Sequence, residues 1–165
     1  MSRTLILTRH AKSSWDDPLQ SDHDRPLNKR GRKSAPAIGA WLTRNGWLPD
    51  EVICSTAART RETYERMGLQ PNSTGFARRL YHAGAHDMLN VLEGATGTCV
   101  LMLGHNPGIA AFADQIVRQA PNHIRFHDYP TCATTVVRFD VASWADVQWH
   151  SGEVLGFVIP RELLE

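Results

Sequence analysis

The feature that most constrains the fold is a regular alternation of strand-like and helix-like segments up to about residue 120. Short apolar or β-branched runs, such as 4–8 and 98–103, are each followed by a longer polar loop or a segment with helical periodicity. Strands that alternate with helices pack as a mainly parallel sheet with helices on both faces. We therefore predict an α/β fold, a three-layer α/β/α sandwich around a mainly parallel central sheet. The chain has 165 residues, which suits a single domain over residues 1–165.

Hydrophobic periodicity and turn residues give the expected elements. The predicted strands cover residues 4–8, 51–55, 76–81, 98–103, 134–141 and 154–159, of which 76–81 has the weakest pattern. The predicted helices cover residues 29–45, 56–67, 86–93 and 109–119. Asn28 is expected to cap the first helix at its start, and Asn45-Gly46 is expected to end it.

Composition excludes several classes of partner. The formal net charge is only +1, so no global basic field favours nucleic acid or an anionic membrane, and any anion site must be local. No apolar run is long enough to span a bilayer. The first residues lead directly into a strand without the apolar stretch of a signal peptide, so we expect a cytoplasmic protein.

Cysteine and histidine spacing gives little support for metal or thiol chemistry. Cys54 and Cys99 lie in or beside predicted strands, where they are expected to act as small buried hydrophobes. A nucleophilic Cys132 is an alternative without a supporting motif. His82 and His86 have the spacing of a zinc pair, but no glutamate follows the first histidine and a glycine weakens a helix there. We predict no metal and no cofactor.

Cationic and imidazole side chains follow three of the predicted strands. Arg9 and His10 follow the first strand, Arg59 lies in the turn after 51–55, and His105 follows 98–103. Because the carboxyl ends of parallel strands share one edge of a sheet, these four residues can converge. Two arginines and two histidines suit a dianionic group such as phosphate, and a neutral imidazole can attack phosphorus. Carboxylates, which magnesium requires, are missing from these strand ends.

A polar loop at residues 13–25 follows the first strand and is long enough to be functional. It ends in Arg25, for which two interpretations are open. Arg25 either contacts the substrate or forms an ion pair with Asp22 or Asp24 that only fixes the loop.

The strand ends together resemble the histidine phosphatase superfamily. Thr-Arg-His-Ala at residues 8–11 is similar to its Arg-His-Gly signature, with Ala11 in place of glycine. Ser-Thr-Ala-Ala-Arg-Thr-Arg-Glu-Thr at 55–63 is similar to its Ser-Pro-x-x-Arg-Ala-x-Gln-Thr segment. Gly-His-Asn-Pro at 104–107 is similar to the turn that holds its second histidine. The resemblance implies a phosphoglycerate mutase-like fold.

Further segments resemble the SixA branch, whose members are regarded as phosphohistidine phosphatases. These segments are Arg-Pro-Leu-Asn-Lys-Arg-Gly at 25–31, Tyr-His-Ala at 81–83 and Pro-Arg-Glu-Leu at 160–163. The motifs occur in the family's order over essentially the whole chain. The resemblance implies a phosphorylated protein or a small phosphorylated compound as substrate, and a pocket that takes a phosphate- or sulfate-type anion.

The resemblance also implies a role for each site residue. His10 is expected to be the nucleophile that forms a phosphohistidine intermediate, which water then hydrolyses. Arg9, Arg59 and His105 are expected to hold the phosphoryl oxygens and stabilise the transition state. Arg25 and Asn106 are expected to be further substrate contacts.

The general acid of larger superfamily members has no recognisable equivalent here. His82 and Asp87 lie in roughly the right region, but each is expected to be a surface or packing residue. A phosphohistidine can leave as neutral imidazole after protonation by solvent, whereas an alkyl phosphate needs an enzymic acid. We therefore expect a phosphohistidine phosphatase. A small-molecule phosphomonoesterase with the same site, or a non-catalytic phosphate-binding domain, is the alternative.

Overall fold

The computed structural model describes residues 1–164. Its strands are β1 (Arg3–Arg9), β2 (Glu51–Ser55), β3 (Ser73–Ala77), β4 (Cys99–Gly104), β5 (Thr134–Phe139) and β6 (Glu153–Val158). Its helices are α1 (Lys29–Arg44), α2 (Ala58–Met67), α3 (Ala85–Glu93), α4 (Gly108–Ile116) and α5 (Arg161–Leu164). No helix in this part of the chain is long and apolar enough to cross a membrane.

The six strands form one sheet in the order β3-β2-β4-β1-β5-β6. The pairs β1–β4, β2–β4 and β2–β3 are parallel, whereas β5 is antiparallel to both of its neighbours. The prediction of a mainly parallel sheet is therefore confirmed. Because Arg9 pairs with Gly104, the ends of β1 and β4 are level, and the residues that follow them start from the same edge.

Alternating side chains of β1 bury opposite faces of the sheet, as expected for a strand covered on both sides. Leu5 and Leu7 belong to a core shared with α3 and α4. Ile6 points the other way, into a core shared with α1 and α2. The predicted three-layer α/β/α architecture is confirmed.

Several boundaries differ from the predictions. Helix α2 starts at Ala58 rather than 56, because Ala57 is still extended. The third strand is Ser73–Ala77 rather than 76–81, because residues 78–80 form a 3₁₀ turn and most of this edge strand is exposed, which gives it no apolar alternation. Helix α4 ends at Ile116 instead of 119, because Val117 is extended and bridges to Gly152. Strand β5 ends at Phe139 rather than 141.

Two close backbone contacts fix the loops that border the sheet's carboxyl edge. A Cβ added at Gly31 would lie 2.1 Å from the carbonyl oxygen of Lys12, so only glycine lets α1 approach the loop after β1. A Cβ at Gly108 would lie 1.8 Å from the carbonyl oxygen of Ala83. The side chain of Asn28 caps α1 as predicted, by accepting a hydrogen bond from the backbone N–H of Gly31.

Candidate active site

The candidate active site is a cavity of about 350 Å³ at the carboxyl ends of β1, β2 and β4. All six residues predicted for the site line it: Arg9, His10, Arg25, Arg59, His105 and Asn106. Four of these residues are expected to act on the phosphoryl group. His10, Arg59 and His105 are buried, and Arg9 is partly exposed. The sheet thus brings together side chains that are far apart in sequence, as parallel strand ends allow.

The imidazole of His10, which lines the cavity, has one unprotonated nitrogen. Its Nδ1 lies 2.7 Å from the carbonyl oxygen of Ala11, and since a carbonyl can only accept, Nδ1 carries the proton. Burial lowers the pKa of His10 well below its usual value, and the positive charges around it act in the same direction. The ring is therefore neutral at physiological pH, with its lone pair on Nε2.

His105 lies beside His10, with 5.2 Å between the ring centroids. Its Nε2 is 2.7 Å from the hydroxyl of Ser55, at the end of β2. Burial and then the charge of Arg59 lower the pKa of His105 to about 3, so this ring is also neutral. Its Nδ1 is buried and has no hydrogen-bond partner among the described residues.

Arg9 and Arg59 each have a buried nitrogen without a hydrogen-bond partner among the described residues. Arg9 donates from Nη1 to the carbonyl of Tyr129 (3.1 Å), and Arg59 donates from Nη1 to the carbonyl of Asp22 (2.7 Å). The Nε atoms of both guanidiniums have no partner within residues 1–164. Buried polar groups in native proteins are nearly always paired, and Arg9, Arg59 and His105 line one cavity, so their unpartnered nitrogens are candidate contacts for a bound anion.

Asp22 and Tyr81 belong to the site although sequence reasoning had not placed them there. One carboxylate oxygen of Asp22 accepts from Arg59 (3.1 Å) and from the hydroxyl of Tyr81 (2.6 Å). These hydrogen bonds hold the pKa of Asp22 well below its usual range, and the bond from Tyr81 lowers it most. The signals available in the sequence were the position of Asp22 in the long loop and of Tyr81 in a branch motif.

Arg25 forms an ion pair with Asp22, which is one of the two interpretations of Arg25 that the sequence allowed. Its Nε donates to the other carboxylate oxygen of Asp22 (3.2 Å), whereas Asp24 bonds to Ser21 instead. Its Nη1 donates to the hydroxyl of Ser13 (2.8 Å), and the guanidinium stacks 3.6 Å above the ring of Trp15. These contacts fix the loop, and a direct contact between Arg25 and substrate stays a prediction.

Asn106 lines the cavity, but its amide is engaged with the backbone. Nδ2 donates to the carbonyls of Asp128 (2.9 Å) and Tyr129 (3.1 Å), and Oδ1 accepts from the N–H of Ala110 (3.3 Å). The structure therefore gives Asn106 a part in shaping the turn after β4. Its contact with substrate also stays a prediction.

The alanine that replaces the family's glycine causes no strain. Ala11 is fully buried and is absent from the residues with positive φ, so the backbone here does not require glycine. Its N–H donates to the hydroxyl of Thr63 on α2 (2.9 Å). The loop after β1 is thereby attached to the helix that also carries Arg59.

The thiol and zinc alternatives find no support. Burial raises the pKa of Cys132 to about 12, so its thiol is protonated and inert at neutral pH. His82 precedes α3, so His82 and His86 do not lie on one helix face. Within residues 1–164, no group of three or more His, Cys, Asp or Glu side chains is arranged to hold a metal ion.

The low pKa of His105 predicts a loss of stability in acid. In the unfolded chain His105 has its ordinary pKa of 6.5, so its ring binds a proton as the pH falls below that value. In the folded state the same ring is protonated only near pH 3. The free energy of unfolding should therefore fall as the pH falls through this window, by up to about 1.4 kcal/mol per pH unit from this residue. The free energy of unfolding can be measured with urea at several pH values between about 4 and 6. For His105→Gln, the slope of this free energy against pH should be shallower than for wild type by about that amount. Equal slopes would contradict the prediction.

Comparison with known proteins identifies the family of this chain. The sequence model of the histidine phosphatase superfamily (branch 1) matches residues 5–74. An uncharacterized protein of Mycobacterium tuberculosis is 34% identical over 160 residues, which cover 93% of this chain and 99% of the relative. A solved structure of a candidate phosphohistidine phosphatase SixA from Nakamurella multipartitia is 30% identical, with a TM-score of 0.83 and 97% of each chain covered.

A third likeness extends to a structure with a bound anion. The protein histidine phosphatase SixA complexed with tungstate has a TM-score of 0.74 and 21% identity, with 97% of this chain and 99% of that chain covered. The chain therefore belongs to the histidine phosphatase superfamily and has its phosphoglycerate mutase-like fold. Within the superfamily it belongs to the SixA-like branch.

Proposed function

We propose that this protein is a metal-independent phosphatase that removes phosphate from phosphohistidine in proteins through a phosphohistidine intermediate on His10. The observation that carries the proposal is the lone pair of His10 Nε2, fixed by the bond from Nδ1 to the Ala11 carbonyl. Arg9, Arg59 and His105 line the same cavity, and each has a buried nitrogen without a partner among the described residues: Arg9 Nε, Arg59 Nε and His105 Nδ1. A nucleophile next to an anion site is the arrangement that phosphoryl transfer requires.

In the first step, Nε2 of His10 attacks phosphorus and the bond from phosphorus to the leaving nitrogen breaks. The phosphoryl group moves to His10, and Arg9 and Arg59 offset the negative charge on its oxygens. A Ser55 hydroxyl that donates to His105 Nε2 leaves the proton of His105 on Nδ1, where it can donate to a phosphoryl oxygen. Water then attacks phosphorus, releases phosphate and restores the free imidazole of His10.

The electrostatics of the cavity support a substrate that needs no enzymic acid. Asp22 is the only Asp or Glu among the described residues that line it. Its low pKa keeps it ionised, so it has no proton to give to a leaving group. A phosphohistidine whose ring takes its proton from solvent leaves as neutral imidazole. The two SixA proteins described above, a candidate phosphohistidine phosphatase and a protein histidine phosphatase complexed with tungstate, belong to the same class of activity.

Turnover of a phosphohistidine substrate without metal tests the proposal. We expect enzyme stripped with EDTA to dephosphorylate a histidine peptide that phosphoramidate has phosphorylated, at the rate of untreated enzyme. The reason is that arginine and imidazole nitrogens, rather than a cation, meet the phosphoryl charge. Release of phosphate and loss of phosphopeptide are measured, with peptide alone as the control for spontaneous hydrolysis. A rate that collapses with EDTA and returns with magnesium would overturn the mechanism.

A further inference from the structure

A second cavity of about 420 Å³ adjoins the candidate active site. The two cavities share three lining residues, Arg9, Lys12 and Thr131. A substrate whose phosphoryl group lies beside His10 can therefore extend directly past Lys12 into the second cavity. None of the steps proposed above uses this space.

The second cavity is strongly cationic. Beyond Arg9 and Lys12, the described residues of its lining include Arg30, Arg125 and Arg161, against one carboxylate among them, that of Asp128. That carboxylate is ion-paired with Arg125 at 3.0 Å. Since the whole chain has a formal net charge of only +1, this excess of positive charge is local. Such a concave patch attracts anions and raises the rate at which they associate.

Two of these cations have no internal partner. The side chains of Lys12 and Arg30 are exposed and make no hydrogen bond or ion pair within residues 1–164. Arg25 and Arg59 in the neighbouring site, by contrast, are both paired with Asp22. Unpaired cations beside a substrate cavity are available for negative groups on a bound molecule.

The positive surface extends beyond the second cavity along the first turns of α1. Arg30 also lines a shallow depression of about 520 Å³, together with Lys29 and Lys33 and with one carboxylate from Asp16. Residues three and four apart share a helix face, so these three cations form a short stripe. A single additional phosphate on a small molecule would fill only part of it. An acidic protein surface can contact the cavity and the stripe together.

We propose that the second cavity and the stripe are a docking surface for carboxylate-rich sequence next to the phosphorylated histidine of a protein substrate. This inference rests on the proposed function for the identity of the phosphoryl group. It adds the chemical class of the surroundings that the enzyme selects. Specificity then comes from charge next to the reacting group, since the phosphoryl site itself is the same for every phosphohistidine.

Two peptides of equal length, each with one phosphohistidine, test the inference. One has glutamate on both sides of the histidine and the other has glutamine. We expect wild-type enzyme to have roughly tenfold higher kcat/KM on the glutamate peptide, mostly through KM, and to lose the preference in high salt. Arg30→Glu should abolish the preference. The same charge change in Arg118→Glu should preserve it, because Arg118 lies beside Gly152 at the opposite edge of the sheet.

Turnover of p-nitrophenyl phosphate, which has no flanking groups, should be equal in wild type and both variants. Binding of the two phosphopeptides to His10→Ala enzyme, followed by fluorescence anisotropy, separates this inference from the proposed function. If His10→Ala enzyme binds the glutamate peptide more tightly, but wild-type enzyme turns over neither peptide, the docking surface is supported and the phosphatase is refuted. Equal binding and equal kcat/KM on both peptides would overturn the docking surface and leave the phosphatase intact. A preference that survives Arg30→Glu would also overturn it.

Discussion

Replacing His10 by alanine is expected to abolish turnover and leave the fold intact. The variant removes the only group that the mechanism uses to accept the phosphoryl, so the rate should fall by about 10⁴-fold or more. Stability should be little affected, because the backbone bonds of His10, to Gly104 and from Cys132, remain in alanine. The lost side-chain bond is local, to the carbonyl of Ala11.

The intermediate itself can be detected during turnover. Wild-type enzyme quenched in the steady state should carry phosphate that is stable in base and labile in acid, whereas the His10→Ala variant should carry none. His127→Ala is a matched control, because His127 is exposed, pairs with Asp114 on the surface and does not line the cavity. The assignment of the nucleophile would be refuted if His10→Ala kept activity within tenfold of wild type and still carried the acid-labile phosphate.

The predictable part of this site follows from the geometry of parallel sheets. Arg9 ends a strand with a clear apolar pattern, and His10, Arg59 and His105 each follow one. Strand ends of one direction meet at one edge of the sheet. The structure places all four around one cavity. The register between neighbouring strands also sets where each strand ends relative to the next. Arg9 at the end of β1, for example, pairs with Gly104 at the end of β4.

The unpredicted part lies in loops, which have no periodicity to read. Asp22 and Tyr81 are 59 positions apart, and their 2.6 Å hydrogen bond depends on how two irregular segments fold over the sheet edge. For the same reason the sequence could not decide between the two interpretations of Arg25. The ion pair with Asp22 became apparent only from the conformation of the loop.

Dependence on the leaving group is the second large effect that we expect. No carboxylic acid among the described residues that line the cavity is protonated: Asp22, the only one there, is held ionised by its hydrogen bonds with Tyr81 and Arg59. Asp87 accepts from the N–H of Gly84 at the start of α3 and does not line the cavity. Phosphohistidine, phosphoramidate and p-nitrophenyl phosphate should therefore be accepted. Sugar phosphates, whose alkoxide leaves poorly, should be slower by about 10²–10⁴, the factor that general acid catalysis supplies.

His82 is the remaining rival for the role of acid, because it lines the cavity and its ring lies 3.9 Å from that of Tyr81. If His82 or Asp87 were an acid, His82→Ala or Asp87→Asn would slow alkyl phosphates and spare p-nitrophenyl phosphate, whose leaving group needs no proton. We expect neither variant to change the ratio of kcat/KM between these two substrates. Each variant thus serves as the other's control. Equal kcat/KM for a sugar phosphate and a phosphohistidine peptide would refute the argument and place this enzyme among the small-molecule phosphatases.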